Sequence, residues 1–395
     1  MNALLRGLYL SKHLGPRWVA FRVSHAVRQK LRSFERRCPK ATWEQRPLSS
    51  FTSDSKLADP NVFKERRATG SPRFFFSPDN RATFAPLLVA FDSEASPVAI
   101  ADDLLSGHFR YFEFHKVSAG FPPQWHRNAF TSTEISKTQH WSRIADFGYG
   151  DIKLIWEPSR FASAYTLVRA WWRTGDEKYA VAFWNLVEDW RQENEPNSGV
   201  NWKCGQETAL RVMAWCFGLY GFLDSAHSTP ERVAMLGGMI ATSAGRIASH
   251  IKYALSQRNN HGISEAAGLW TVGVLFPEFA QAANWAEAGR NHLENLARDL
   301  IYGDGAFAQH SANYHRLMLH DYLWVIRLAE LNGCPFSEEL KRRISVAGEF
   351  LFQIQDRNSG QIPCFGQNDG ALILPLNNCE PQNYKPIIQA IRYLT

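Results

Sequence analysis

The chain has 395 residues, of which 45% are hydrophobic and 21% are charged. This composition excludes an intrinsically disordered chain, and it supplies enough apolar side chains for one large domain or two ordinary ones. The formal net charge of +6 is unevenly distributed: residues 1–46 hold 11 Lys or Arg against 2 Glu, a local +9, which leaves −3 for the remainder. The basic character therefore belongs to an N-terminal segment and not to the whole surface.

Residues 1–46 are predicted to form a basic amphipathic segment. Residues 16–37 have the apolar spacing of a helix, and Pro16 is compatible with its first turn. The segment can contact an anionic membrane surface or an acidic polymer, or remain a solvated helix. No nucleic-acid-binding module is recognisable, so we expect no nucleic-acid partner. Basic residues interrupt the apolar runs, and we expect neither a secretory leader nor a membrane-spanning helix.

The cysteines number six, and none of them has CxxC spacing or stands in a Cys/His cluster. Spacing of that kind is the usual signature of a structural zinc site. We therefore expect free thiols or buried small apolar residues, and no structural zinc.

Residues 47–150 are predicted to form an irregular mixed region that packs on a helical domain. Seven prolines interrupt residues 38–105. Short strands are expected at Phe74–Phe76 and Leu87–Phe91, and aromatic runs in residues 106–156 favour hairpins or extended loops.

Long helical periodicity begins near residue 157. It divides into four helical hairpins: Ser159–Arg191, Gln206–Tyr253, His261–Ile301 and Tyr314–Gln355. Their starts are separated by 47, 55 and 53 residues. A repeat of paired helices predicts stacked α-hairpins, either a solenoid or an α/α toroid, and the loops of such a stack gather at one rim where a groove can form.

The tail, residues 357–395, is richer in Gly and Pro. Its apolar run Ala371–Leu376 predicts a strand, and Tyr384–Leu394 predicts a final helix. We interpret the tail as the start of a C-terminal β-domain, truncated within a larger protein, that follows a helical domain over residues 151–356.

Five groups of residues occur in an order and spacing that resemble a known family. They are Asp151-Ile152-Lys153 with Trp156-Glu157 and Arg160; Trp202 with Glu207 and Arg211; Asn259-Asn260-His261; Gly303-Asp304-Gly305 with Ser311 and Tyr314-His315; and Pro363 with Phe365-Gly366 and Asp369-Gly370. Across about residues 150–372 the chain resembles the helical half of the heparinase II/III and alginate lyase-like polysaccharide lyases. Gln367 and residues 310–313 depart from the family pattern.

The resemblance implies a mainly α fold, an incomplete (α/α) toroid of stacked helical hairpins that precedes a C-terminal β-sandwich. It also implies a lyase that cleaves an acidic, uronic-acid-containing polysaccharide by β-elimination. In the family the sandwich can supply a further His or hold a metal, and neither feature maps onto this chain. We therefore expect no cofactor in this part of the protein, while a metal in a following domain stays open.

Elimination beside a uronate carboxylate needs a hydrogen-bond donor for that carboxylate, a base for the neighbouring C–H and an acid for the leaving oxygen. Asn260 is predicted to bind the carboxylate, since its amide donates hydrogen bonds at the start of a helix. His261 is predicted to take the proton or bind the carboxylate, and Tyr314 to act as acid or base. Their structural alternatives are a helix N-cap, a satisfied histidine and a tyrosine that anchors its helix.

Five further residues are predicted to contact substrate: Trp202, Lys203, Arg258, His310 and His315. The ring of Trp202 can stack on a sugar, although a hydrophobic staple is its alternative role. His315 should point away from Tyr314, because adjacent helical positions diverge. Arg211 lies in an apolar helix, where we expect it to pair with Glu207 at i,i+4.

Two other functions stay open at this point. A glycoside hydrolase on an α/α toroid needs two carboxylates about 5–9.5 Å apart, for which Glu207, Glu265 and Asp304 are candidates. A non-catalytic protein that binds acidic polysaccharide or serves exopolysaccharide assembly is the other. The lyase hypothesis requires Asn260 and Tyr314 to lie on one accessible rim. The sequence does not indicate which oligomeric state the protein has.

Overall fold

The computed structural model describes residues 15–90, 97–112 and 114–395, together with Tyr9, Ser11 and Lys12. Its N-terminal elements are α1 Pro16–Lys30, α2 Ser33–Arg37, α3 Pro60–Ala68, α4 Arg81–Ala90, α5 Pro97–Leu105 and the antiparallel strands β1 His108–Tyr111 and β2 His115–Ser118. The helix expected over residues 16–37 is confirmed, with an interruption at Arg32, whose φ of 55° leaves the helical region. The strands β1 and β2 confirm the hairpin expected within residues 106–156.

The predictions of two short strands in the irregular region are wrong. Residues 74–76 are irregular, and their rings pack on the helical domain: Phe74 stacks on Tyr220 with centroids 4.5 Å apart, and Phe76 lies 4.8 Å from Trp172. Residues 87–90 belong to α4, and Phe91 lies outside the described residues. Aromatic and apolar runs favour strands only where a partner strand is available, and here burial of the rings against helices prevails.

The four predicted helical hairpins are confirmed. The helices of this region are α6 Lys153–Ser159, α7 Ser163–Thr174, α8 Lys178–Glu193, α9 Gly205–Gly221, α10 Pro230–Gln257, α11 Asn260–Leu275, α12 Ala282–Leu300, α13 Ala312–Leu331 and α14 Glu338–Ile354. The hairpins pair α7 with α8, α9 with α10, α11 with α12 and α13 with α14. Thr229, Asn259, Ser311 and Ser337 cap the amino ends of α10, α11, α13 and α14 with side-chain oxygens, as the chemistry of these residues favours.

The helices form two layers, which is the arrangement of an incomplete α/α toroid. Every residue of α9 is buried, and α11 and α13 are buried almost throughout, so these three helices form the inner layer. Their side chains are largely apolar all round, as a helix needs when both of its faces are covered. By contrast α12 and α14 bury one stripe and expose charged residues. Most of the tryptophans lie in this core, as expected for a Trp-rich helical domain.

The tail differs from its prediction in one respect. Residues 371–376 form no strand, and Ala371, Ile373 and Leu374 are instead buried against the helices. The final helix is confirmed as α15 Lys385–Leu394, which packs on α13 and α14. All six cysteines are free thiols, as expected. No helix in the described part of the chain combines the length and the apolar character needed to cross a bilayer.

Candidate functional site

The three inner helices begin on one rim of the toroid. Because each hairpin runs out and back, α9, α11 and α13 run in the same direction, and their amino ends meet at residues 205, 260 and 312. The tail crosses this rim, where Ala312 N–H donates to the Phe365 carbonyl at 3.2 Å. Gly366 has a φ of 70°, and a Cβ at this position would collide with the carbonyl oxygen of His310. Glycine therefore lets the tail lie directly on the loop before α13.

Asp369, which lies in the tail, joins three segments of the rim. Its Oδ2 accepts hydrogen bonds from the Tyr314 hydroxyl at 2.8 Å and from Lys153 Nζ at 3.0 Å. Its Oδ1 accepts from Asn313 Nδ2 at 2.9 Å. The hydroxyl of Tyr314 is therefore held by a carboxylate that is itself fixed by a lysine and an amide.

A buried arginine lies beside this carboxylate. Arg160 donates to Glu207 through Nε at 2.5 Å and through Nη2 at 3.0 Å, and Nη1 pairs with Glu157. The other oxygen of Glu157 accepts from the backbone N–H of Phe112 at 2.9 Å. A guanidinium that donates to two carboxylates in this way is rigid, so its charge has a fixed position in the site.

The pKa values of the two predicted proton-transfer residues shift in opposite directions. Burial lowers the pKa of His261, and the carboxylates of Glu207 and Asp369 act against this shift. Burial and the neighbouring Asp369 carboxylate raise the pKa of Tyr314, against the charge of Arg160. The same charged groups act on both residues, which places His261 and Tyr314 around one network. At neutral pH the imidazole is uncharged and able to accept a proton, while the phenol keeps its proton.

Asp369 itself stays ionised. Burial alone would raise the pKa of Asp369, but the hydrogen bond from Tyr314 and the charge of Lys153 outweigh burial, so the net pKa lies below its usual range. The charged carboxylate strengthens the hydrogen bond from Tyr314 and favours the protonated form of the phenol.

Asn260 lies at the predicted rim, but its side chain is not open to solvent. It is 1% exposed, and its Nδ2 donates to Gln206 Oε1 at 2.5 Å. Its backbone N–H donates to Gln309 Oε1 at 3.2 Å, which ties α11 to the loop before α13. Asn259, and not Asn260, caps α11 through its bond to His261 N–H. Asn260 and Tyr314 both lie at this rim, but the buried Asn260 does not meet the predicted requirement of accessibility. The expectation that its amide contacts a carboxylate directly is therefore not supported.

His261 opens onto a cavity of about 220 Å³ beside the rim. Its Nδ1 lies 3.7 Å from the thiol of Cys204. Glu265, one turn further along α11, faces the same cavity, and burial raises the pKa of this carboxyl to about 8. A Cβ at Gly205 would collide with that carboxylate, so glycine at the start of α9 makes room for it. Helix α1 contributes His25 to the cavity wall.

The predicted contact at Trp202 is contradicted by its burial. Its ring is 0% exposed and lies between Trp190 and Trp43, with centroids 5.8 and 6.0 Å away. No ring face is free for a sugar. Lys203 is already paired, because its Nζ lies 2.9 Å from Asp146 Oδ1.

The other three predicted contacts divide into exposed and buried residues. Arg258 is exposed at the carboxyl end of α10, with a φ of 51°. His310 is also exposed, and its ring lies 5.9 Å from that of Tyr302, which is 45% exposed. His315 points away from Tyr314, as expected, but it is 1% exposed and bonds the Ala347 carbonyl at 3.1 Å. Its burial contradicts the predicted contact with substrate.

The expected pair of Arg211 with Glu207 is wrong, because Glu207 pairs with Arg160. Arg211 instead donates to the carbonyl of Asn201 at 3.1 Å and to the carbonyl and hydroxyl of Ser159 at 3.3 Å. Burial lowers the pKa of Arg211 to about 9. The pairing of Glu207 with Arg160 also removes it as a free carboxylate for a hydrolase.

Sequence reasoning gave no role to several residues that form the rim. Five of them make up the charged network or its amide partner: Lys153, Glu157, Arg160, Gln206 and Asp369. Four of these five residues stand in the sequence groups that resemble the family. Membership in those groups was the signal from which their place in the site could have been predicted. In the described part of the chain, no group of three or more His, Cys, Asp or Glu is arranged to hold a metal ion.

The fold and the rim define an α/α-toroid protein with a polar site at the amino ends of its inner helices. Residues 101–368, more than half of the chain, match the family model described as Heparinase II/III N-terminus. The chain belongs to the heparinase II/III family, which confirms the resemblance found in the sequence.

The chain is similar to two heparin-sulfate lyases. It is 27% identical to that of Bacteroides thetaiotaomicron over 190 residues, which cover 45% of this chain and 26% of the relative. It is 24% identical to that of Bacteroides stercoris over 204 residues, which cover 46% and 30%. The matched part therefore spans less than a third of these relatives.

Solved structures of heparinase III share the fold. One superposes with a TM-score of 0.58 at 20% identity, covering 85% of this chain and 49% of that one. A second has a TM-score of 0.52 at 18% identity, covering 82% and 52%. The chain spans about half the length of these structures.

Proposed function

We propose that this chain is the toroid part of a polysaccharide lyase that cleaves an acidic, uronic-acid-containing polysaccharide by β-elimination. The observation that carries the proposal is the hydrogen-bonded network of Tyr314, Asp369, Lys153 and the Arg160–Glu207 pair at the amino ends of the inner helices, where His261 also lies. The pKa shifts of His261 and Tyr314, which have opposite signs, support it. Two titratable groups whose environments move their pKa values apart are the arrangement of a general base and a general acid.

In the proposed reaction His261 is the base. Its neutral imidazole takes the proton from the carbon next to the uronate carboxylate, and the released electron pair forms the new carbon–carbon double bond. The resulting imidazolium is stabilised by Glu207, whose charge acts to raise the pKa of His261. Two observations support this assignment: His261 lines a cavity that a ligand can enter, and the charges of Glu207 and Asp369 act on both His261 and Tyr314.

Tyr314 is the acid. The bond between the sugar carbon and the glycosidic oxygen breaks, and the departing oxygen takes the phenolic proton. In the structure the Tyr314 hydroxyl donates a hydrogen bond to Asp369, and in the reaction it turns to the departing oxygen. Arg160 stabilises the phenolate that develops. Each positioned proton-transfer group typically contributes about 10²–10⁴-fold in rate.

The uronate carboxylate must be bound so that negative charge can move onto it. Gln206 and Asn260 form one amide pair at the amino ends of α9 and α11, where backbone dipoles also favour an anion. We assign the contact to the Gln206 amino group, since the Gln206 oxygen is the atom that accepts from Asn260. Gln206 is 5% exposed, so the substrate must displace the side chains that cover it. Arg258, exposed two residues before Asn260, is the second contact for an acidic group.

The activity named for the relatives indicates which polymer to test first. Because the matched relatives are heparin-sulfate lyases, we propose a glycosaminoglycan-type uronate as the first substrate to test. Every step above is assigned to a protein side chain, so we propose that this part of the chain needs no cofactor. Treatment with a chelator is expected to leave the rate unchanged.

The test is a panel of uronate polymers incubated with the chain and followed by ultraviolet absorbance and product mass. Elimination yields an unsaturated uronate that absorbs in the ultraviolet and is one water lighter than the hydrolysis product. His261→Ala should lose the activity, whereas the exposed and distant Tyr393→Phe should keep it. Products of the hydrolytic mass would identify a glycoside hydrolase, and binding without any product would identify a non-catalytic polysaccharide-binding protein.

A further inference from the structure

Helix α1 rests on the toroid by one face only. The indole N–H of Trp18 donates to the carbonyl of Ser256 at 2.7 Å, and the ring of His25 lies 4.4 Å from that of Tyr253. None of the described residues of α1 is buried. The helix therefore lies across the end of α10 as a shallow surface element.

The opposite face of α1 is apolar and exposed. Val23, Val27 and Leu31, the last directly after the helix, are 58%, 47% and 63% exposed. At about 100° per residue these side chains fall within an arc of about 80°, and Trp18 lies about 180° from Val27. We call Val23, Val27 and Leu31 the outer row. Their spacing of four residues makes one continuous stripe that faces away from the docked side.

Basic residues border the outer row on both sides. Arg17 and Arg28 lie on one flank, and Lys30 lies on the other; all three are exposed. Across residues 1–46 the local charge is +9, from 11 Lys or Arg and 2 Glu. An apolar stripe flanked by Lys and Arg is the pattern of a helix that lies in the interface of an anionic membrane.

We propose that α1 docks this protein on an anionic lipid surface, with the outer row in the acyl boundary and the flanking basic residues at the headgroups. Such binding combines burial of apolar area with attraction to anionic lipid. A second copy of the chain would bring two strongly basic segments together, which charge repulsion opposes. An acidic polymer would be held by charge alone and would leave the outer row in water.

Docking would place the candidate site next to the lipid surface. His25, on the inner face of α1, lines the same cavity as His261. The helix that contacts lipid is therefore also part of the wall of the site. This proposal rests on α1 alone and holds whether or not the chain is a lyase.

The experiment is co-sedimentation of the full chain with vesicles of phosphatidylcholine, alone or mixed with phosphatidylglycerol. We expect at least tenfold tighter binding to the anionic vesicles, weakened by salt. Replacing the outer row by glutamine (Val23→Gln, Val27→Gln and Leu31→Gln together) should reduce binding at least tenfold. Tyr393→Gln, at an apolar position outside α1 that is 82% exposed and so more exposed than the outer row, is the control and should not change binding.

Three results would overturn the proposal. One is equal binding to neutral and anionic vesicles, or none to either. Another is full binding by the glutamine variant combined with loss in Arg17→Gln, Arg28→Gln and Lys30→Gln, which would indicate a polyanion site that heparin should then occupy. The third is a wild-type dimer in the absence of lipid that the outer-row variant converts to a monomer. Because the replaced side chains are exposed, thermal unfolding should be unchanged in all variants.

Discussion

Tyr314→Phe separates catalysis from stability more cleanly than any other single change at the rim. The substitution removes one hydroxyl and keeps a half-buried ring that packs on the core. If Tyr314 donates the proton to the leaving oxygen, its loss should reduce kcat by about 10²–10⁴-fold, or about 3–5 kcal/mol of barrier. KM should change little, because the interaction is made mainly in the transition state.

The stability cost should be small, because Asp369 keeps two partners. Its Oδ2 retains Lys153 at 3.0 Å and its Oδ1 retains Asn313 at 2.9 Å, so no buried charge is left alone. The loss of one hydrogen bond to a carboxylate then costs about 1–2 kcal/mol. Urea unfolding measures this cost, and ultraviolet absorbance of the unsaturated product measures the rate.

The chain contains a matched control. Tyr179 donates to Asp102 Oδ1 at 2.9 Å, and Lys178 contacts the same oxygen at 2.9 Å, so the arrangement repeats that of Tyr314 far from the rim. Tyr179→Phe should cost about 1 kcal/mol in stability and leave kcat unchanged. The reasoning is refuted if Tyr314→Phe keeps its rate within tenfold, or if both variants lose activity equally.

Three further results are expected. The rate should fall as the pH drops through the lowered pKa of His261, so the acidic limb of kcat/KM should lie below the usual histidine range; a limb above that range would exclude His261 as the base. Burial raises the pKa of Asp321 to about 8, so the folded state binds its proton more tightly and stability is lost as the pH rises toward 8. Asp321→Asn should flatten this loss, by up to about 1.4 kcal/mol per pH unit, in urea unfolding followed between pH 5 and pH 8. Glu207→Gln leaves Arg160 with Glu157 as its one carboxylate partner. Because Arg160 keeps that partner, the loss of stability should be about 2–4 kcal/mol, less than for a buried ion with no partner. An unchanged urea midpoint would contradict the buried network.

The helical hairpins could be predicted because their signal is local. Each inner helix is rich in apolar residues along its length, and the polar, Gly or Pro residues between the helices have direct conformational effects. The strands expected at Phe74–Phe76 and Ala371–Leu376 failed because apolar runs of this length do not encode their partner. A strand needs a neighbour at hydrogen-bonding distance, and these segments meet helices instead.

The site could be predicted only in part, for a related reason. Tyr314 and His261 were predicted because their chemistry suits elimination and they stand in the groups that resemble the family, and the structure places both near one charged network. The predicted contact of Trp202 with substrate was wrong because its loop position suggested exposure, whereas packing in the folded chain leaves it 0% exposed. The contact of Asp369 with Tyr314 joins residues that are 55 positions apart, and no local pattern sets such a pairing.

The opposite shifts at His261 and Tyr314 have one common cause. Burial disfavours the charged form of each residue, so the imidazole gives up its proton and the phenol retains one. Both groups are therefore neutral and correctly protonated before a substrate arrives. In the proposed elimination both groups would become charged, as imidazolium and phenolate. Glu207 favours the imidazolium and Arg160 favours the phenolate, and both belong to one fixed network in which Arg160 also pairs with Glu157.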